Sequence, residues 1–279
     1  TWNTVATRDI RLLRKQMDIV CALPREYTFL NYLRCHDDIG WGLDYATLKE
    51  WGMEEVAHKK YLNDYFQGKV EGSVSRGELY NEDPVTGDAR FCATTASMCG
   101  VESAGFEQDE EKMSWAIRKD LMLHAYMFTQ SGIPMLYSGD EIGQVNDYTY
   151  KEDPDKAPDS RYIHRGKFNW DLVDNIKDKT SVQGRIFNGL EDLEKIRRTE
   201  AVFNTDAEVY TKDYSDTSIL WVVRKAEGEE LHAVFNFSDE GKTIWMPEKA
   251  VYTNLMTGVT KEVETVELSG WDFVWMKRG

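Results

Sequence analysis

The spacing of apolar residues predicts an amphipathic helix over residues 1–23, ended by Pro24. The apolar positions that recur on one face of this helix are Trp2, Val5, Ile10, Leu13, Met17 and Val20. The segment TFLNYLRCH at 28–36 is apolar almost throughout its first part, which is typical of a strand buried on both faces. A helix leading into a buried strand predicts an α/β layer.

The same succession of helix and strand recurs further along the chain. Helical spacing predicts helices over 44–68, 110–131 and 182–198, and the run IPMLYSGDEIG at 133–143 predicts a second buried strand. Both predicted strands end in acidic residues, HDD and GDE. In α/β proteins, ligands bind at this edge of the sheet, so the two acidic ends are candidates for one site.

The pattern changes after Ala201 to short alternating runs separated by glycine, asparagine and aspartate. The runs are SILWVVRK, LHAVFNF, TIWMP, AVYTNLM, EVETVEL and DFVWMK. Alternation with period two predicts antiparallel strands with one buried face. Residues 201–279 are therefore predicted to form a separate β-sandwich.

The composition of the chain argues against several classes of binding partner. The formal net charge is −15, from 34 basic and 49 acidic residues, and no basic cluster is present, which argues against nucleic acid and anionic membranes. No apolar stretch approaches the roughly 20 residues that span a bilayer. The four cysteines form no CxxC pair and have no histidine at metal-ligand spacing, so they are interpreted as reduced thiols in a cytoplasmic protein.

The segment HDDIGW is the first candidate for chemistry. A histidine and an aspartate at the end of a strand can bind the adjacent hydroxyls of a sugar, because the carboxylate accepts hydrogen bonds and the imidazole donates one. Two alternatives stay open. Asp37 could cap the following helix while His36 is buried in the core, or the pair could bind a metal as in helical phosphohydrolases, for which His58 and His124 lack companion ligands.

Two arginines lie in long polar loops, Arg90 in TGDAR and Arg161 in DSR. Each closely follows an aspartate, which could orient the guanidinium toward a ligand, although a lone loop arginine is more often solvated. The acidic run EDPDKAPD lacks the glycine and terminal glutamate of an EF-hand, and no metal or organic cofactor is predicted.

The order of these segments resembles the C-terminal half of the α-amylase superfamily, glycoside hydrolase family 13, and within it the amylosucrases. The resemblance runs from TWNTVATRDIRLL through NYLRCHDDIGW, NEDPVTGDAR, SGIPMLYSGDEIG and DSRYIHR to GWDFVWM. It implies that residues 1–200 are the C-terminal part of a (β/α)₈ barrel, with an insertion at about 44–110 after barrel strand seven. Residues 201–279 would be the C-terminal β-sandwich domain.

The resemblance also implies roles for individual residues. His36 and Asp37 would hold the glucosyl ring, with Asp37 stabilising the oxocarbenium-like transition state. Asp38 and Arg90 would face the neighbouring fructosyl or acceptor subsite, and Arg161 would close the base of the pocket. The implied substrates are sucrose as glucosyl donor and an α-glucan, an oligosaccharide or water as acceptor.

Retaining enzymes of this kind need a nucleophilic carboxylate and an acid/base about 5 Å apart. No GxRxDAxxH-like segment for the nucleophile occurs in the chain. We therefore expect these residues to be a fragment that needs the N-terminal half of the barrel as a partner and is inactive alone. The alternatives are a fragment of an α-amylase or oligo-α-glucosidase, and a non-catalytic carbohydrate-binding module that uses Trp245 or Trp271.

Overall fold

The computed structural model describes residues 1–279, and the chain divides into two compact units. One unit comprises residues 1–31, 121–135 and 189–279, and the other comprises 32–120 and 136–188. The prediction of a mixed α/β part followed by an antiparallel β domain is confirmed. The boundary near residue 200 and the insertion at 44–110 stay predictions.

The first unit begins with two helices, α1 (Trp2–Thr7) and α2 (Arg11–Cys21). The prediction of one continuous helix over 1–23 is therefore wrong. Arg8 has a left-handed φ of 57° and ends α1 by donating its backbone N–H to the Thr4 carbonyl. The Asp9 carboxylate then accepts from the backbone N–H of Arg11 at 3.0 Å, which satisfies a free donor at the start of α2.

Two short parallel strands follow, β1 (Leu30–Asn31) and β5 (Ile133–Pro134), which pair only with each other. Leu30 is 58% exposed and Ile133 is 55% exposed, so the prediction of strands buried on both faces is wrong. A parallel strand is buried when neighbouring strands and helices cover it, and a two-stranded sheet provides neither on its outer face. The unit also contains the C-terminal part of helix α7 (Glu110–Thr129) and most of α8 (Val182–Thr199).

The rest of this unit is an antiparallel sheet of six strands in the order β10-β9-β11-β8-β7-β6. The strands are β6 (Glu208–Lys212), β7 (Ile219–Ala226), β8 (Glu229–Asn236), β9 (Lys242–Asn254), β10 (Val259–Leu268) and β11 (Phe273–Arg278). Strand β9 meets β11 over only two residue pairs, while β9 and β10 pair along most of their length. Side chains from β7 through β11 share one buried cluster that includes Trp221, Tyr252 and Met276, as expected for a sheet folded over its own core.

The second unit contains helices α3 (Tyr45–Glu50), α4 (Glu55–Phe66), α5 (Thr95–Cys99) and α6 (Val101–Glu107) and the first part of α7. The predicted helix over 44–68 is divided in two at Gly52, whose φ is 81°. Strands β2 (Ile39–Gly40), β3 (Glu78–Tyr80) and β4 (Arg90–Cys92) form an antiparallel sheet in the order β2-β4-β3. Short 3₁₀ helices at Asp140–Ile142, Tyr148–Glu152, Ser160–His164 and Trp170–Lys177 complete the unit.

His232 on β8 should make the first unit sensitive to acid. Its Nδ1 accepts a hydrogen bond from Trp221 Nε1 at 3.2 Å. Protonation of Nδ1 would remove this acceptor and leave two N–H donors facing each other. Burial lowers its pKa to about 4, despite Glu230 at 3.1 Å from Nε2. The unfolded histidine binds a proton near pH 6.5, so stability is lost progressively as the pH falls from about 6.5 to about 4, by up to about 3 kcal/mol.

Urea unfolding at several pH values measures this effect. We expect His232→Gln to flatten the slope of stability against pH between 6.5 and 4, whatever its stability at neutral pH. His36→Gln, which changes an exposed histidine, should retain the wild-type slope. If stability in His232→Gln falls with pH as steeply as in wild type, groups other than His232 cause the loss of stability in acid.

Candidate functional site

The segment HDD follows β1 and is held in place by hydrogen bonds to its backbone. The His36 carbonyl accepts from Arg165 Nε at 2.6 Å and lies 3.2 Å from His164 Nε2. Both partners come from the end of the 3₁₀ helix Ser160–His164 and the residue after it. The backbone is thus fixed, while the side chains of His36 and Asp37 remain 68% and 63% exposed and available to a ligand.

A buried ion pair supports this segment from below. Arg34 Nε donates to Asp140 Oδ1 at 2.8 Å, and both side chains are almost fully buried. The same guanidinium contacts the carbonyls of Ser138 and His164 at 3.4 Å and lies over the ring of Tyr137. A buried charge is stable only when it is paired and hydrogen-bonded, so this arrangement fixes the loop after β1 against the loop after β5.

Asp37 is the carboxylate best placed to meet a ligand. Its Oδ2 lies 3.5 Å from His36 Nε2, and its Oδ1 lies 3.7 Å from Arg165 Nη2. Neither contact encloses the carboxylate, and one face stays open to solvent. A negative charge held beside a cation and an imidazole can accept hydroxyl hydrogen bonds and stabilise positive charge that develops on a bound sugar.

Asp38 and Arg90 are brought together by the small sheet. Strand β2 pairs with β4 so that Gly40 lies opposite Arg90, and Arg90 Nε lies 3.8 Å from Asp38 Oδ1. The Arg90 guanidinium lies directly over Gly40, where any side chain would collide with it. Asp38 is mostly covered while Arg90 is exposed, so the arginine is free to reach a second ligand group.

Arg161 is oriented by the carboxylate of Asp159, two positions earlier in the sequence. Its guanidinium binds both oxygens of Asp159, with distances of 2.7–3.1 Å, and lies over the ring of Tyr80 at 4.5 Å. The hydrogen bonds from Arg161 hold the pKa of Asp159 below its ordinary value. This pairing presents the arginine as a fixed fork, as the aspartate two positions before it suggested.

His164 is a neutral part of this site. Burial lowers its pKa to about 4, and the cations Arg34 and Arg165 add to that effect. The hydrogen bond to the His36 carbonyl acts in the opposite direction without compensating. At neutral pH the ring therefore carries one proton, which we place on Nε2 because this nitrogen faces the carbonyl.

The sequence interpretation missed three residues of this network: Arg34, His164 and Arg165. It included Asp140 in the acidic end GDE but did not predict that Asp140 pairs with Arg34. Arg34 and Asp140 are separated by 106 positions, so no local pattern links them. Arg165 follows Arg161 by four positions in DSRYIHR, and the spacing alone did not show which arginine faces HDD. In the structure, Arg165 contacts Asp37 and Arg161 contacts Asp159.

The two tryptophans considered for carbohydrate binding differ in exposure. Trp245 is 61% exposed on β9, and Trp271 is buried. The part of the binding-module alternative that depends on an exposed Trp271 is therefore wrong. No helix in the structure has the length and apolar character needed to cross a membrane.

Comparison with curated proteins finds relatives of low identity. Over 258 aligned residues the chain is 24% identical to glucosylglycerate phosphorylase from Escherichia coli K12. The alignment covers 90% of this chain and 41% of that protein. The chain thus spans less than half the length of the curated relative that it matches. No family model matches the chain. The similarity supports the resemblance to the α-amylase superfamily.

Solved structures that match part of the chain include trehalulose synthase from Pseudomonas mesoacidophila MX-45, with 18% identity and a TM-score of 0.47 over 57% of this chain and 38% of that one. Another is cyclic α-maltosyl-(1→6)-maltose hydrolase from Arthrobacter globiformis, with 18% identity and a TM-score of 0.41 over 61% and 32% of the two chains. A third is maltogenic amylase from S. marinus, with 18% identity and a TM-score of 0.40 over 57% and 19%.

Proposed function

We propose that this chain is part of a retaining, α-glucan-active enzyme of the α-amylase superfamily that resembles amylosucrase. In this proposal the enzyme transfers a glucosyl unit from sucrose to an α-glucan or to water. The observation that carries the proposal is an exposed Asp37 on a backbone held by Arg165 and His164, within a chain related along 90% of its length to a glucosyl-active phosphorylase.

The side chains of the site divide between two sugar positions in this proposal. Asp37 accepts hydrogen bonds from the ring hydroxyls of the glucosyl unit, and His36 donates another. The carboxylate charge stabilises the positive charge that develops on the ring as the bond to the leaving group breaks. Arg165, whose Nη2 lies 3.7 Å from Asp37 Oδ1, helps to hold this carboxylate in place.

Asp38 and Arg90 bind the other sugar. Asp38 is covered by its neighbours, so it serves mainly to orient Arg90, whose exposed guanidinium donates to hydroxyls of the fructosyl or acceptor unit. Arg161 is oriented by Asp159 and closes the pocket on the far side of the glucosyl unit. The nucleophile and the acid/base are supplied by residues outside these 279, as is the rest of the barrel.

A second candidate function is phosphorolysis of an α-glucoside. The related protein is named as a phosphorylase, and this chain holds Arg90 and Arg165 beside Asp38 and Asp37. Arginine forks bind phosphate through paired N–H donors, so the same site could accept phosphate in place of a glucan. The two functions share the glucosyl-binding role of Asp37 and differ in the acceptor.

Sucrose turnover separates these possibilities. The chain and any longer product of its gene are incubated with sucrose, with and without inorganic phosphate, and glucose, fructose, glucan and glucose 1-phosphate are measured. We expect the longer product to release fructose and form glucan without phosphate. Glucose 1-phosphate formed only with phosphate would establish phosphorolysis instead, and no attack on sucrose with rapid maltodextrin hydrolysis would establish an amylase. Turnover by this chain alone would place the nucleophile within it.

A further inference from the structure

We propose that Cys35, His36 and Asp37 form a binding site for a thiophilic divalent cation, Zn²⁺ being the representative, and that the bound cation blocks the sugar site. The donor atoms of these three consecutive residues lie within 4.8 Å of one another. The blocking effect rests on the proposed role of Asp37 in sugar binding. The binding itself depends only on the three side chains.

The donor set suits zinc. Zinc binds cysteine sulfur at about 2.3 Å and histidine nitrogen or carboxylate oxygen at about 2.0–2.2 Å, in tetrahedral geometry. In such a site the donors are roughly 3.5 Å apart. His36 Nε2 and Asp37 Oδ2 already have this separation, at 3.5 Å, so a small rotation of the exposed side chains is enough to complete three ligands. Water would supply the fourth.

The backbone around the three residues is ordered before any ion binds. The Asp37 N–H lies 3.4 Å from Cys35 Sγ, which turns the sulfur toward Asp37. The His36 carbonyl is held by Arg165 and His164. A site whose backbone is already fixed loses little conformational freedom when it binds an ion.

Cys35 differs from the other cysteines in its surroundings. Cys92 and Cys99 are buried, and burial raises the pKa of Cys92 to about 12 and that of Cys99 well above its usual value. These two thiols therefore keep their protons. Cys21 is partly exposed like Cys35, but it belongs to no such cluster of donors. It provides a matched control.

One nearby charge opposes the ion. Arg165 Nη2 lies 3.7 Å from Asp37 Oδ1, so a bound cation would use the other oxygen, Oδ2, which faces His36. Binding would also release the thiol proton of Cys35 to solvent, because the thiolate is the ligand. Mg²⁺ prefers oxygen ligands and octahedral geometry, and we expect it not to compete.

Binding is measured on the chain by calorimetric titration with Zn²⁺ and by the sulfur-to-metal absorption band of Co²⁺. We expect one equivalent to bind to wild type and to Cys21→Ser, and the affinity to fall at least about tenfold in Cys35→Ser and in His36→Gln. Circular dichroism confirms that each variant is folded. Equal binding in Cys35→Ser, an equal loss in Cys21→Ser, or binding of Mg²⁺ with similar affinity would overturn the site.

Blocking is measured on the form of the protein that turns over substrate. Zn²⁺ should inhibit wild type, a chelator should restore the rate, and Cys35→Ser should need at least about tenfold more Zn²⁺ for the same inhibition. Stoichiometric binding with an unchanged rate would contradict the blocking effect. If the metal-free protein acts on no glucoside at all, the proposed function fails, and the titration still decides whether the cation site exists.

Discussion

Asp37→Asn is expected to reduce the rate of glucosyl transfer by about 10³-fold while leaving the fold unchanged. Asparagine has nearly the shape of aspartate and can still accept a hydrogen bond from a sugar hydroxyl, but it carries no charge. The charge matters most when the glucosyl ring becomes cationic, so the loss should appear in kcat more than in KM. Initial rates over a range of sucrose concentrations separate the two.

Asp174→Asn is a matched control. Asp174 lies in the same unit as Asp37, its side chain is largely exposed, and its carboxylate pairs with Lys177. It should retain the wild-type rate and the wild-type unfolding midpoint. If Asp37→Asn keeps more than a tenth of the wild-type rate, the carboxylate has no electrostatic role in the reaction.

The sequence predicted the helices and strands that are determined by the spacing of apolar residues along the chain. The six alternating runs predicted after residue 201 lie on β7–β11, with TIWMP and AVYTNLM both on β9, while β6 was not predicted. The turn between β7 and β8 has Glu227 and Gly228 at positive φ, as tight hairpins require. The long helices α7 and α8 lie where the apolar spacing placed them. The break between α1 and α2 was missed, because left-handed φ at Arg8 has no marker in an amphipathic pattern.

The candidate sugar site could be predicted only in part, because some of its residues are close in sequence and others meet only in the folded chain. His36, Asp37 and Asp38 are consecutive, so the chain itself places them together. Arg90 meets Asp38 only through the register of β2 on β4, and Arg34 meets Asp140 across 106 positions. Such contacts depend on tertiary packing, which periodicity does not encode. The exposure of Leu30 likewise depends on what covers the strand rather than on its own residues.

Replacement of Arg224 by methionine should have the largest effect on stability. Arg224 lies on β7 with 0% exposure and donates to the carbonyls of Val202, Thr129 and Asn204 at 2.6–3.0 Å. No carboxylate is among its hydrogen-bond partners. Burial lowers its pKa to about 10, and the nearby cation Arg197 adds to this effect. The guanidinium is still charged at neutral pH, and its N–H groups are hydrogen-bonded to these carbonyls.

The carbonyl of Thr129 is one of the unpaired groups at the end of α7, and Arg197 binds another, that of Phe128, together with the carbonyl of Gly132 beyond the helix. A positive charge at a helix C-terminus also interacts favourably with the helix dipole. Arg224 thus connects the end of α7 to the β-sheet within one unit. Methionine fills much of the same volume but leaves three buried acceptors without donors.

We therefore expect Arg224→Met to lower the free energy of unfolding by roughly 2–4 kcal/mol, measured by urea denaturation at neutral pH. Arg278→Met is the matched control, because Arg278 is a partly exposed arginine on β11 of the same sheet and pairs with Glu248. Its effect should stay within about 1 kcal/mol. Arg224→Lys should be intermediate, since an ammonium cannot reach all three carbonyls at once. Equal effects of the methionine variants at 224 and 278 would mean that water satisfies these carbonyls and that the end of α7 needs no cation.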